Sequence, residues 1–242
     1  MVGNIHSIET MGLLDGPGLR IVIFLQACPL RCLFCHNPDS WFKKENQLMS
    51  PEEVLNIILK YKNYFKNNGG VTFSGGEPLL QSEFLLETLK LCKKQNIHTC
   101  IDTSGVGGTK NKEVLKYTDL VLFDIKDVTK DGYKKMTGLD IEESLSFLDL
   151  CQKMNKKLWL RQVIIPNIND NENYIMSLKK FIKPLKNIEK IELLPYHTLG
   201  VNKYEQLGIK YKLKGVKPMD KDKCKELELM LSDNSNLKIL NK

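Results

Sequence analysis

The chain has 242 residues, 42% of them hydrophobic and 27% charged, and a formal net charge of +7, an ordinary balance for a soluble globular protein. Its longest apolar run, residues 21–25, is far short of the roughly 18 residues that a membrane-spanning helix needs, and no basic run interleaved with stacking aromatics points to nucleic acid. The opening Met1-Val2-Gly3-Asn4-Ile5-His6 lacks the basic-then-apolar order of a secretion signal, so a cytoplasmic, monomeric protein with neither a membrane nor a nucleic-acid partner is expected.

Taken in chain order, short apolar runs alternate with amphipathic ones. A strand is predicted over 21–26, and Cys28, Cys32 and Cys35 follow it at once. A helix then opens at Ser50-Pro51-Glu52-Glu53, an N-cap, a proline at the first helical position and a capping-box glutamate. Its Val54, Ile57, Ile58, Tyr61 and Phe65 fall at helical spacing. Next come a strand over 71–74, a helix over 82–95, and strands over 97–102 and 120–124. A helix over 141–155, a strand over 158–165, a helix over 172–183, a strand over 188–194 and a helix over 221–232 complete the series. Such alternation gives an α/β fold with a parallel sheet wrapped by helices. Six strand–helix units are too few for a closed eight-stranded barrel. An incomplete barrel and an open doubly wound sheet both fit, and no linker or repeat divides residues 1–242 into more than one domain.

Seven cysteines in a reducing compartment are not expected to pair with one another, and clustered thiols there more often bind metal. Cys92, Cys100, Cys151 and Cys224 are scattered among apolar residues and read as small core side chains. Cys28, Cys32 and Cys35 lie within eight positions. Structural zinc prefers four ligands, here lacking a second cysteine pair, and His36 is too close to Cys35 to point at the same ion. Three thiolates suit an iron–sulfur cluster with one iron open to a ligand, although four are commoner. Ser74-Gly75-Gly76-Glu77-Pro78 follows the next strand. It is a tight turn at least; its glycines would also let backbone approach a ligand, and Glu77 adds a carboxylate suited to an ammonium group. The later strand ends deliver Asp102-Thr103, then Asp124 and Lys126, and finally Pro195-Tyr196-His197, with Arg161 inside the fifth strand. Each alone has a plain reading as a cap, an ion pair or a satisfied histidine. Together they mark the carboxyl-end rim where parallel α/β folds place their sites. Residues 179–217 carry ten lysines against three glutamates, either a solvated surface or a field that steers an acidic partner.

The Cys-x3-Cys-x2-Cys spacing after a first strand, with Phe34 before the last cysteine, resembles the signature of the radical S-adenosylmethionine superfamily. Asp15-Gly16-Pro17-Gly18-Leu19-Arg20, His36-Asn37, residues 98–103 and 120–126, Leu193-Leu194-Pro195-Tyr196-His197 and Gly215-Val216-Lys217-Pro218 resemble, within it, the activators of glycyl-radical enzymes. The resemblance implies a partial (β/α)6 barrel of parallel strands with outer helices. It implies a 4Fe–4S cluster on Cys28, Cys32 and Cys35, and S-adenosylmethionine near Phe34, Gly75, Gly76, Glu77, Asp102, Lys126 and His197. A monovalent cation would be bordered by Asp102, Thr103 and Asp124. Asp15, His36, Lys126 and Arg161 would meet an incoming peptide. The implied activity is hydrogen abstraction by a 5′-deoxyadenosyl radical from a glycine of a protein partner, with a flavodoxin-like or ferredoxin-like reductant. Pro29 and Pro78 depart from the family pattern but remove no ligand. No cysteine lies between Cys35 and Gly75, which argues against activators with a ferredoxin-like insert and for those acting on pyruvate formate-lyase. Activation of another glycyl-radical enzyme, small-molecule radical chemistry and a non-enzymatic metal or electron-transfer module are the alternatives.

Overall fold

A computed structural model describes residues 1–232. In chain order its elements are β1 (Gly3–Gly12), β2 (Arg20–Leu25), β3 (Gln47–Met49), α1 (Pro51–Lys60), β4 (Gly70–Gly75), α2 (Ser82–Lys94), β5 (His98–Thr103), α3 (Asn111–Lys116) and β6 (Leu120–Ile125). There follow α4 (Lys130–Thr137), α5 (Glu142–Lys153), β7 (Lys157–Ile164), α6 (Glu172–Ile182), β8 (Ile188–Pro195), α7 (Val201–Gln206) and α8 (Lys221–Ser232). The strands pair mostly in parallel. Every strand expected from an apolar run is present, displaced by no more than one residue at either end.

By its internal contacts the chain divides into two compact units. One comprises Met1–Pro29, Ser40–Phe123 and Glu142–Lys157; the other comprises Leu30–Asp39, Asp124–Ile141 and the chain from Leu158 onward. In the first unit the strands run in the order β3-β1-β2-β4-β5-β6. Parallel pairing joins β2, β4, β5 and β6, whereas β1 is antiparallel to β2 and to β3. Ile21, Ile23, Leu25, Val71, Phe73, Ile101 and Val121 are wholly buried, as befits strands covered on both faces. Cys92, Cys100 and Cys151 are buried as well.

Local chemistry starts and stops these elements. Ser50 Oγ accepts from Glu53 N at 3.2 Å while the Glu53 carboxylate accepts from Ser50 N at 2.7 Å, closing the capping box ahead of α1. Val54 and Ile58 are the buried face of that helix. Strand β1 escapes the sequence pattern for a physical reason. Its apolar Ile5 and Ile8 are three apart, not two, because a register shift lies between Ile5 and Ser7, and a bulge of this kind breaks the alternation of a strand.

In the second unit β7 and β8 pair in parallel, with Leu160 opposite Ile191, Arg161 opposite Glu192 and Gln162 opposite Leu193. Side chains alternate across a strand, so Leu160, Gln162 and Ile164 share one face with Ile191 and Leu193. That face lies under α6, whose Tyr174 hydroxyl donates to Gln162 Oε1 at 3.0 Å. Trp159, Arg161 and Val163 share the opposite face with Lys190, Glu192 and Leu194.

Candidate active site

The cysteine segment leaves β2 through a constrained entry. Ala27 takes the left-handed backbone, φ 78°, at a cost of about 1 kcal/mol for a residue with a Cβ. Its N–H donates to Ser40 O at 2.8 Å and its carbonyl accepts from Glu77 N at 2.9 Å. The Gly75-Gly76 turn packs directly on this entry. A Cβ on Gly76 would stand 2.1 Å from Ala27 O, and one on Gly75, where φ is +112°, 2.2 Å from Leu25 N. Both glycines therefore serve the approach of one backbone stretch to another.

Glu77 turns inward. Its side chain sits in a residue only 1% exposed. Oε1 accepts from Thr103 Oγ1 at 2.5 Å and from Leu79 N at 3.2 Å. Oε2 accepts from Ser104 N at 2.9 Å and Ser104 Oγ at 2.6 Å. Burial raises its pKa, and the Ser104 and Thr103 donors oppose that shift. The carboxylate thus ties the 74–78 turn to the carboxyl end of β5. Beside it, Ser74 Oγ donates to Asp102 Oδ2 at 2.8 Å. Thr72, on the same face of β4 as Ser74, donates to Asp15 O at 2.6 Å. Asp15 main chain therefore lies one side-chain layer, roughly 7 Å along the strand, below the Ser74–Asp102 contact. Wholly buried Arg20 holds the 13–19 loop there, donating to Thr72 Oγ1 at 2.7 Å, Pro17 O at 2.9 Å and Val71 O at 2.7 Å.

In the second unit, Arg31 N donates to Thr137 O at 2.7 Å and Leu33 N to Met136 O at 3.0 Å, laying this stretch along the end of α4. Cys35 N donates to Cys32 O at 3.1 Å, and the Tyr204 hydroxyl to Cys35 O at 2.9 Å. Lys126 Nζ stands 2.8 Å from Asp124 Oδ2 and 5.3 Å from the centre of the Phe34 ring. Burial pushes the Cys32 thiol up to about 12, with Lys126 pulling the other way. His36 and His197 stack with ring centres 3.8 Å apart, and His36 Nε2 is 3.2 Å from His197 O. Burial, His197 and then Lys126 hold His36 down at about 4, so its imidazole is neutral at neutral pH. Lys203 reaches Asn37 Oδ1 at 2.9 Å and Asp39 at 3.1 Å.

Arg161 Nε is 3.3 Å from Glu192 Oε2, and Lys190 Nζ takes the other oxygen, Oε1. Lys190 also lies over the Trp159 ring, 4.7 Å from its centre. Neither Lys190 nor Glu192 stood out in the sequence, because both sit in the lysine-rich stretch read as surface. Their alternation with Ile191 and Leu193 was the available signal.

Cys28, Cys32 and Cys35 form no disulfide; Cys32 is buried and the other two are half-buried. Among the described residues no three His, Cys, Asp or Glu side chains are gathered as a ready metal site; what groups the three thiols is their spacing in the chain. As a donor set they suit iron–sulfur ligation: all three are soft thiols, and a thiolate at buried Cys32 calls for the positive charge that a bound cluster iron adds to that of Lys126.

Comparison with known proteins agrees with this chemistry. The Radical SAM superfamily matches residues 22–178, more than half of the chain, and this is a radical S-adenosylmethionine protein. Curated relatives named pyruvate formate-lyase-activating enzyme are 52% identical in Clostridium pasteurianum, over 96% of this chain and 98% of theirs, and 44% identical in Staphylococcus epidermidis, over 98% of each. The chain belongs to the family of pyruvate formate-lyase-activating enzymes, whose cofactors are a 4Fe–4S cluster and S-adenosylmethionine. Among solved structures, a domain of pyruvate-formate lyase-activating enzyme from Bacteroides vulgatus aligns with 72% of this chain and 99% of its own, at TM-score 0.57 and 26% identity. Streptococcus suis SuiB bound to precursor peptide SuiA aligns with 94% of this chain and 49% of its own at TM-score 0.68 and 18% identity, a likeness of fold. The partial-barrel α/β class expected from the sequence is the fold of these enzymes.

Proposed function

We propose that this protein activates pyruvate formate-lyase by removing one hydrogen from the α-carbon of a glycine, leaving a glycyl radical on the partner. The observation that carries this reading is a near full-length identity of 52% to a curated activator, in a chain that carries Cys28, Cys32 and Cys35 and the Gly75-Gly76-Glu77 turn. When bound, the cluster and S-adenosylmethionine supply one-electron chemistry that ends in hydrogen abstraction. Everything else falls to binding and positioning.

Cys28, Cys32 and Cys35 hold the cluster. Gly75, Gly76, Asp102, Lys126 and His197 hold S-adenosylmethionine, with Phe34 supporting Lys126 from below its ammonium group. Glu77 acts through the turn that it fixes, a role supported by the four in-chain donors on its carboxylate. Asp102, Thr103 and Asp124 border a monovalent cation. Asp15, His36, Lys126 and Arg161 meet the glycine-bearing segment; a neutral His36 stacked on His197 suits a peptide carbonyl or amide better than a charged group. Residues 1–242 act as one domain in the cytoplasm, as a monomer. Among the described residues no helix is long and apolar enough to cross a membrane. The reductant is an acidic flavodoxin-like or ferredoxin-like protein, a reading supported by the lysine excess of residues 179–217.

Two measurements test these roles. Cys32→Ala or Cys35→Ala protein should lose cluster iron and S-adenosylmethionine cleavage together; turnover retained without the cluster contradicts the ligand assignment. Reduction of the cluster by the acidic partner should slow as ionic strength rises, and a rate indifferent to salt removes the lysine argument.

A further inference from the structure

We infer that Glu192 and Lys190 are positioning residues that set the guanidinium of Arg161 for the partner's glycine segment; this rests on the reading of Arg161 given above. Arg161 and Glu192 are register partners on β7 and β8, as are Trp159 and Lys190. Each oxygen of the Glu192 carboxylate is held by a different cation: Oε2 by Arg161 Nε at 3.3 Å, Oε1 by Lys190 Nζ. Lys190 is itself held over Trp159. A carboxylate gripped at both oxygens has little rotational freedom, and a planar guanidinium met through Nε has its plane set by that contact.

The placement of charge argues for function over stability. The Arg161, Lys190 and Glu192 side chains are 8%, 9% and 18% exposed. Two cations and one carboxylate at such burial stabilise a fold no better than apolar residues of similar volume. The opposite face of the same two strands is filled by Leu160, Ile164, Ile191 and Leu193, all buried. Charge is therefore confined to the face away from α6, on rigid strands rather than loops, where a side chain is held in place most accurately.

The test uses holoenzyme with reconstituted cluster, S-adenosylmethionine and purified pyruvate formate-lyase. Glu192→Gln should raise KM for pyruvate formate-lyase about tenfold with kcat within about twofold, the signature of lost binding rather than lost chemistry. Slow S-adenosylmethionine cleavage without the partner should be unchanged. Arg161→Lys should raise the same KM, and the double variant should be no worse than Arg161→Lys alone, because coupled residues are not additive. A normal KM in Glu192→Gln beside a raised one in Arg161→Lys overturns the positioning role and leaves the Arg161 reading standing. A normal KM in Arg161→Lys overturns that underlying reading instead. If Glu192→Gln loses its fold or cluster, Glu192→Asp decides: it keeps the charge but shortens the reach, and an unchanged KM there overturns the inference.

Discussion

Two carboxylates are held in this molecule by opposite means. Glu77 receives only neutral donors, two hydroxyls and two backbone N–H groups. Glu192 is held between two cations on the charged face of β7 and β8. The first arrangement fastens one chain segment to another and has no capacity to spare. The second places paired charge on a face that apolar residues would fill equally well. Saturation by neutral donors marks a carboxylate that builds the site, whereas paired charge on rigid strands marks a place where the site meets something else.

The largest effect that would break this contrast is in the first region. Glu77→Ala strands four donors in the interior, and the expected loss is about 3–5 kcal/mol in urea unfolding, since each unsatisfied buried group costs about 1–3 kcal/mol. A loss under about 1 kcal/mol would mean that the network does not secure the turn. In the second region Glu192→Ala removes the carboxylate that Arg161 and Lys190 share and should cost about 3 kcal/mol, whereas replacing Arg161, Glu192 and Lys190 together by Met, Leu and Met should cost about 1 kcal/mol or less. That triple variant should still fail to activate the partner. A triple variant as unstable as Glu192→Ala would show that the charges serve the fold after all.

Asp119 lies between the two cases and sharpens them. It accepts from Lys93 Nζ at 2.7 Å and from Thr99 N at 2.9 Å. Burial would raise its pKa, but the Lys93 and Thr99 donors outweigh burial and lower it. A carboxyl depressed in the folded state contributes stability above its ordinary pKa, and that contribution fades as pH falls through the folded value. Asp119→Asn should therefore cost about 1 kcal/mol at pH 7 and less at pH 3, compared by urea unfolding of both proteins. An equal cost at both pH values would assign the effect to shape rather than charge.

Much of the fold was legible because its strands are apolar runs bounded by turns, and because Ser50, Pro51 and Glu53 announce α1. The bulge in β1 hid a ten-residue strand. The six-residue α3 and α7 are too short for periodicity to register. In the site, the cysteine spacing and the Gly-Gly-Glu turn were local and visible. The direction of the Glu77 carboxylate was not, since its partners Thr103 and Ser104 lie 26 and 27 residues away. Lys190 was hidden by composition: counted among ten surface lysines, it is turned inward onto Trp159 and Glu192.

The most direct test of the central claim is anaerobic electron paramagnetic resonance of the reconstituted, reduced holoenzyme mixed with S-adenosylmethionine and pyruvate formate-lyase. The account requires a stable glycyl-radical doublet that grows in step with 5′-deoxyadenosine. Cofactor cleavage with no doublet on the partner would contradict the assignment of pyruvate formate-lyase as substrate, and the absence of both cluster signal and cleavage would contradict the three-cysteine centre itself.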